Sequence, residues 1–185
     1  MNVLLLSMPD YFEHMPPVAV RMPNGALTSL AGNVDDHHRV AVADLILSYR
    51  RVRETIKRLV HEIDPEVVGL SVMTFQRRTA GRIIDLARAL KPGVKIVVGG
   101  YDPSLAPEAY EGMGVDYIVR GEGEVTFREL LRALERAEAS KPSMAVRAVT
   151  AIVGSITLRG QHIGWKTMTS AYLIVLLACS KAIRS

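Results

Sequence analysis

The chain has 185 residues, 49% hydrophobic and 23% charged, which is room for one ordinary domain with an appendage and argues against wholesale disorder. Its single cysteine, Cys179, excludes a disulfide framework, a four-thiolate zinc site and a self-contained iron–sulfur cluster. The net charge of +4 does not make a nucleic-acid surface. Residues 141–185 hold six of the 23 Lys and Arg and none of the 19 Asp and Glu, so the first 140 residues are slightly acidic, whereas a phosphate-binding face needs grouped bases.

The opening MNVLLLSMPDYFEH has no basic stretch before its short apolar run, so it does not read as a secretory signal, and a cytoplasmic setting is expected. Asn2–Ser7 is a continuous apolar run and reads as a buried strand. A loop carrying Pro9, Pro16, Pro17 and Pro23 follows, too proline-rich for helix. Asn24 is placed to cap a first helix with Leu27, Leu30, Ala31 and Val34 on one face. Arg39–Leu45 is the second strand. Arg51–Glu62 shows helical spacing, with Val52, Ile56, Leu59, Val60 and Ile63, and Asp64-Pro65 breaks it. Val67–Met73 is the third strand. Arg77–Leu90 is a helix that Pro92-Gly93 ends. Val94–Val98 is the fourth strand, Pro107–Glu111 a short helix, Val115–Val119 the fifth strand and Glu124–Ala139 the last helix.

Five strand–helix units in residues 1–140 predict an α/β fold. It should be a doubly wound, parallel five-stranded sheet of order 2-1-3-4-5 with right-handed crossovers. Ligands of such sheets lie at the carboxyl ends of the strands, which here means the loops after Ser7, Met73, Val98 and Val119. In residues 141–185, Val149–His162 reads as an appended hairpin about Gly154. Ser170–Cys179 reads as a short apolar helix, too short for the ~20 residues a bilayer demands.

The loop residues divide between structural and ligand readings. Gly99, Gly100 and Tyr101 follow the fourth strand, where paired glycines serve either close approach to a ligand or a turn needing positive φ. Arg120, Gly121, Glu122 and Gly123 follow the fifth. Their carboxylates would repel a phosphate, and no phosphate-loop pattern is present anywhere. Glu122 is suited to accept from a neutral ligand's amides or hydroxyls, while Glu124 favours a helix start. Ser71, Met73 and Thr74 close the third strand. His37 and His38, beside Asp35 and Asp36, read as a solvated cluster at a helix end, where adjacent residues would not share a metal. Among the histidines, His14 is the one kept as a site contact.

The segments VVGLSVMT, KIVVGGYDPSLAPEA and GVDYIVRGEGEVTFRELLRAL, in that order and spacing, resemble the N-terminal cobalamin-binding domain of B12-dependent radical SAM enzymes. The likeness covers roughly residues 2–138, and VRGEGEVTF is its most specific piece. It implies the same 2-1-3-4-5 fold, with a corrin ring over the carboxyl edge of the sheet and the nucleotide tail inserted into the domain. By this resemblance Ser71 and Met73 line the tail channel. Gly99 and Gly100 let backbone approach the tail, and the loop Arg120–Glu124 contacts the tail or the ring edge.

Two departures shape the expectation. The D-x-H-x-x-G motif of other cobalamin domains, which brings a histidine to cobalt and which many radical SAM relatives also lack, is absent after the first strand, where Asp10 and His14 have the wrong spacing. Corrinoid is therefore expected to bind without axial histidine. The C-x-x-x-C-x-x-C motif that holds the iron–sulfur cluster of radical SAM enzymes is also absent. The chain thus reads as the cobalamin half alone, with a radical SAM partner or a missing domain to supply the rest, and its acid-free tail as an interrupted frame or a stand-alone module. The alternative is a receiver-like or protein-interaction module on the same fold that binds no cofactor. The acids and lysine of a receiver and the phosphate loop of a flavodoxin are missing from the loops where those folds keep them.

Overall fold

The computed structural model describes residues 1–10, 12 and 24–139, with the pairs 149–150, 156–157 and 174–175. Five parallel strands form the sheet: β1 (Asn2–Ser7), β2 (Arg39–Asp44), β3 (Val67–Ser71), β4 (Lys95–Gly99) and β5 (Tyr117–Val119), in the order β2-β1-β3-β4-β5. The register runs Ser7 opposite Ser71 and Ser71 opposite Gly99, so the carboxyl ends of β1, β3 and β4 are level. That order is the doubly wound arrangement expected from strict alternation.

The apolar run of β1 explains its central place. Every residue from Val3 to Ser7 is buried, and alternate residues feed two separate cores. Leu4 and Leu6 pack with Val52, Ile56, Ile83 and Ile84 of α2 (Val52–Ile63) and α3 (Arg77–Leu90). Val3 and Leu5 pack with Leu27 of α1 (Gly25–Gly32) and with Phe127, Leu130 and Leu134 of α5 (Glu124–Ala139). Each such side chain contributes about 1.5–3 kcal/mol on burial. Asn24 caps α1 as expected, its side chain accepting from the Leu27 amide at 3.4 Å. At the end of α2, Asp64 turns left-handed with φ 47° and its N–H returns to the Val60 carbonyl at 3.0 Å. No described helix is long and apolar enough to cross a membrane.

Three local outcomes differ from the expected pattern. Strand β3 ends at Ser71, two residues early, where Val72 keeps a bond to the end of β4 but turns its carbonyl to the segment after it. The Val72 N–H donates to the Gly99 carbonyl at 2.8 Å, and the Val72 carbonyl accepts from Asp102 at 3.1 Å. A short helix, α4 (Tyr101–Leu105), occupies what reads as loop, and the segment Pro107–Tyr110 after it is 3₁₀ rather than α. Strand β5 begins at Tyr117 rather than Val115, and the residue before it, Asp116, donates its N–H to the Ile96 carbonyl of β4 at 2.9 Å.

From the tail, β7 (Ile156–Thr157) joins the edge of β5 antiparallel, while β6 (Val149–Thr150) and β8 (Ile174–Val175) pair with each other. The rest of the expected hairpin and apolar helix, with Cys179, lies outside the described residues.

Candidate functional site

The carboxyl ends of the strands open onto a cavity of about 110 Å³ between the sheet and helices α1 and α5. The sheet contributes Leu5, Gly69 and Val97, and the helices contribute Leu27, Leu30 and Phe127. Strand ends and loops contribute Ser71, Gly99, Gly100, Gly121 and Gly123. The lining is mostly apolar, and glycine stands wherever backbone must come close.

These glycines are not alike. A Cβ on Gly69 would lie 2.7 Å from Leu5 Cδ2, and one on Gly123 3.0 Å from Leu30 Cδ2, so there the space is held by the ends of flexible side chains. Gly100 has φ 99°, and its Cβ would meet Val72 N at 2.9 Å, Val72 O at 3.0 Å and Ser71 Oγ at 3.2 Å. Backbone of the neighbouring strand exit therefore excludes a side chain at Gly100. Gly121 has φ 73° but nothing within 4 Å of a Cβ.

Around the cavity the loops are bonded to one another. Ser104 Oγ donates to the Gly100 carbonyl at 2.7 Å and accepts from the Gly121 N–H at 3.1 Å, and Arg120 Nε donates to the Ser104 carbonyl at 3.1 Å. Beneath α4, the almost fully buried Asp102 receives Arg77 Nε at 2.7 Å, Arg77 Nη2 at 2.6 Å and Tyr110 Oη at 2.7 Å. The Arg77 bond is the main reason the Asp102 carboxyl sits below its ordinary range. Gln76, also buried, donates from Nε2 to the Met8 carbonyl at 3.0 Å and to Asp10 Oδ1 at 3.2 Å, while its Oε1 accepts from the Met73 N–H at 3.0 Å. One side chain thus ties the loop after β1 to the loop after β3. Above these bonds stands an exposed apolar rim of Met73, Phe75, Tyr101 and Leu105, between 44% and 65% accessible.

The model of the B12 binding domain family matches residues 15–131. The chain belongs to the B12-binding domain family. It is 30% identical over 138 residues to an uncharacterized methyltransferase of Pyrococcus horikoshii, covering 74% of this chain and 30% of that protein. To the anaerobic magnesium-protoporphyrin IX monomethyl ester cyclase of Rubrivivax gelatinosus it is 29% identical, covering 74% and 25%. Among solved structures it resembles the radical S-adenosylmethionine methyltransferase TsrM of Kitasatospora setae with cobalamin and a [4Fe–4S] cluster bound. The TM-score is 0.61 and the identity 25%, over 74% of this chain and 25% of that one. OxsB, a cobalamin-dependent S-adenosylmethionine radical enzyme, shares the fold, with a TM-score of 0.59. The chain therefore spans between 18% and 30% of the length of these relatives.

In this B12-binding domain, Ser71, Gly99, Gly100, Gly121 and Gly123 meet at the cavity. Met73 and Tyr101 stand on the exposed rim, and Thr74 is exposed in the 3₁₀ turn that precedes α3. Arg120 is turned to Ser104. Glu122 is exposed, whereas Glu124 accepts from Ser29 Oγ at 2.8 Å at the start of α5. Its carboxyl is held low first by its own backbone N–H and then by Ser29. His14 lies outside the described residues. Sequence reasoning passed over Gly69, Gln76, Asp102 and Ser104. Gly69 alone carried a readable signal, since a glycine inside an apolar strand marks close approach.

Proposed function

We propose that this domain holds a corrinoid with its nucleotide tail in the glycine-lined cavity and its ring over the apolar rim, and that it serves as the cobalamin-carrying part of a radical SAM enzyme. The observation that carries the reading is the cavity itself. It opens at the carboxyl edge of a 2-1-3-4-5 sheet, it is apolar, and glycines at Gly69, Gly99, Gly121 and Gly123 keep side chains out of it. A flat aromatic base fits such a space, while an anion would find no basic side chain among its lining residues.

The residues divide the work of holding the group. Ser71, at the strand end, offers a hydroxyl to a polar edge of the tail. Gly99 and Gly100 present backbone, with Gly100 shaped by Val72. Met73 and Tyr101 offer apolar and aromatic surface to the ring, with Thr74 and Glu122 exposed for its amide side chains. Arg120 and Gly121 hold the loop after β5 against α4 through Ser104, and Gly123 leaves the cavity wall beside Leu30 open. Gln76 fixes the start of the loop after β1, the loop that would lie under the cobalt. That loop carries no D-x-H-x-x-G, so it would offer a bound corrinoid no histidine from that motif. A corrinoid held there would supply a cobalt centre able to carry a methyl group, and two of the relatives are named methyltransferases.

Equilibrium dialysis of the protein against hydroxocobalamin tests the reading. Retention of one equivalent, with the visible spectrum of a bound corrinoid, is expected at micromolar protein. An unstained protein would leave the interaction module as the function of this fold.

A further inference from the structure

At the opposite end of the sheet, the turn between α1 and β2 gathers Asp35, His37 and His38. Each offers one donor atom, and the three atoms lie within 4.8 Å of one another. The sequence places these residues at a helix end, where neighbours diverge. The structure ends α1 at Gly32 and puts them in a turn, so the two imidazole rings come within 4.1 Å between centroids, tilted by 41°. We infer that Asp35, His37 and His38 form a binding site for a borderline divalent metal ion, with zinc the ion that best suits two imidazoles and one carboxylate.

Two independent observations point to a ligand there. His38 is 93% buried. Its Nδ1 is 3.1 Å from the Met1 amine, and its Nε2 is buried with no hydrogen-bond partner among the described residues. An unpaired buried imidazole nitrogen costs about 1–3 kcal/mol, and a metal on Nε2 removes that penalty once the ring proton sits on Nδ1, which then donates to the Met1 amine in its neutral form. The second observation is the outer layer. His37 Nε2 lies 3.1 Å from both carboxylate oxygens of Glu135, and Asp35 receives Arg132 Nε at 2.6 Å and Nη2 at 2.7 Å. Metal-binding histidines and carboxylates are commonly oriented by such outer partners.

Charge and geometry are compatible with the site. Asp35 and Glu135 are anionic and the two imidazoles ligate in neutral form, offsetting a 2+ ion beside Arg132 and Arg128, with the proton displaced from the Met1 amine released to solvent. Arg132 occupies one lone pair on each Asp35 oxygen, and a carboxylate has about four such positions. Zinc bonds of about 2.0–2.1 Å in a tetrahedron put donors about 3.3 Å apart, so the three must draw in from their present spread. His37 is free to do so, with 57% of its side chain exposed. Three protein donors leave the fourth position to water.

The site is separate from the corrinoid cavity, and its test uses untagged, corrinoid-free protein. Zinc is titrated in competition with a colorimetric chelator, and melting curves are recorded with and without zinc. One tightly held equivalent and a zinc-dependent rise in Tm are expected. His37→Ala and Asp35→Asn should each weaken zinc at least tenfold and abolish that rise, while His61→Ala, on the exposed face of α2, should bind as the wild type does. Circular dichroism of the metal-free variants checks folding. Should Asp35→Asn fail to fold for want of its Arg132 bonds, the exposed His37 decides alone. Absence of stoichiometric zinc in the wild type, or an unchanged affinity in His37→Ala, would overturn the site.

Discussion

Gly100 offers the sharpest test of how the site is built, because two causes can require a glycine there. With φ 99° and ψ −165° it occupies a backbone region open essentially to glycine alone. Forcing another residue into it costs about 1–3 kcal/mol. A Cβ would also press on Val72 N at 2.9 Å and Val72 O at 3.0 Å, contacts with backbone that cannot swing away, adding roughly 1–3 kcal/mol of overpacking. Gly100→Ala should therefore cost about 2–6 kcal/mol in the corrinoid-free protein. At roughly 3–4 °C per kcal/mol for a domain of this size, that is a fall in Tm of roughly 6–24 °C. Gly121→Ala is the control. Its φ of 73° is strained for alanine but a Cβ meets nothing, so the loss should be only about 1–2 kcal/mol. Thermal melts of both variants, followed by hydroxocobalamin titration at a temperature where each is folded, separate stability from binding. A Gly100→Ala protein that melts with the wild type yet binds corrinoid tenfold more weakly would refute the reasoning, because the ligand and not Val72 would then be what excludes the side chain.

Ser71→Ala should leave the corrinoid-free Tm within about 2 °C and weaken hydroxocobalamin five- to tenfold in dialysis, about 1–1.4 kcal/mol for one lost hydroxyl bond. Asp102→Asn should lose about 3 kcal/mol in urea unfolding at pH 7, since it leaves Arg77 without its buried partner. The folded-state pKa of Asp102 lies below its ordinary 3.8. Its contribution is therefore fully present above that value and is lost as pH falls through the lower folded one, so the gap between variant and wild type should persist at pH 5 and close below pH 4. A gap unchanged at pH 3 would remove the ion pair as its cause. Electron paramagnetic resonance of the cob(II)alamin form should show no axial nitrogen splitting. A split signal that His14→Ala abolishes would instead make His14 the ligand.

What could be read from the sequence follows the length scale of each signal. Helices α3 and α5 keep their expected bounds, Arg77–Leu90 and Glu124–Ala139, because each runs three turns or more with a buried stripe and a clear stop or start. Helix α4 has five residues, with Pro103 at its centre, and is too short for a helical period to show. It exists because Asp102 is clamped by Arg77, 25 residues earlier, and by Tyr110, a pairing no local pattern announces. The placement of the histidine pair was hard to read for a related reason. Whether His37 and His38 diverge or come together depends on where α1 stops, and Asn33 stops it by returning its N–H to the Leu30 carbonyl at 3.1 Å.

The cavity shows the same division within a single residue type. Gly99, Gly100, Gly121 and Gly123 were visible as glycines in loops at strand ends, where the fold places ligands. Their separate reasons were not visible, since a turn, a backbone clash and an open lining all spell glycine. Gly69 sits inside the third strand, between Val68 and Leu70, both buried. Valine there would suit the strand better on propensity alone. Leu5 Cδ2 already stands 2.7 Å from where its Cβ would be, so any larger residue must push Leu5 into the cavity or close it. The least conspicuous glycine of the set is thus the one whose replacement would fill the space from its sheet side.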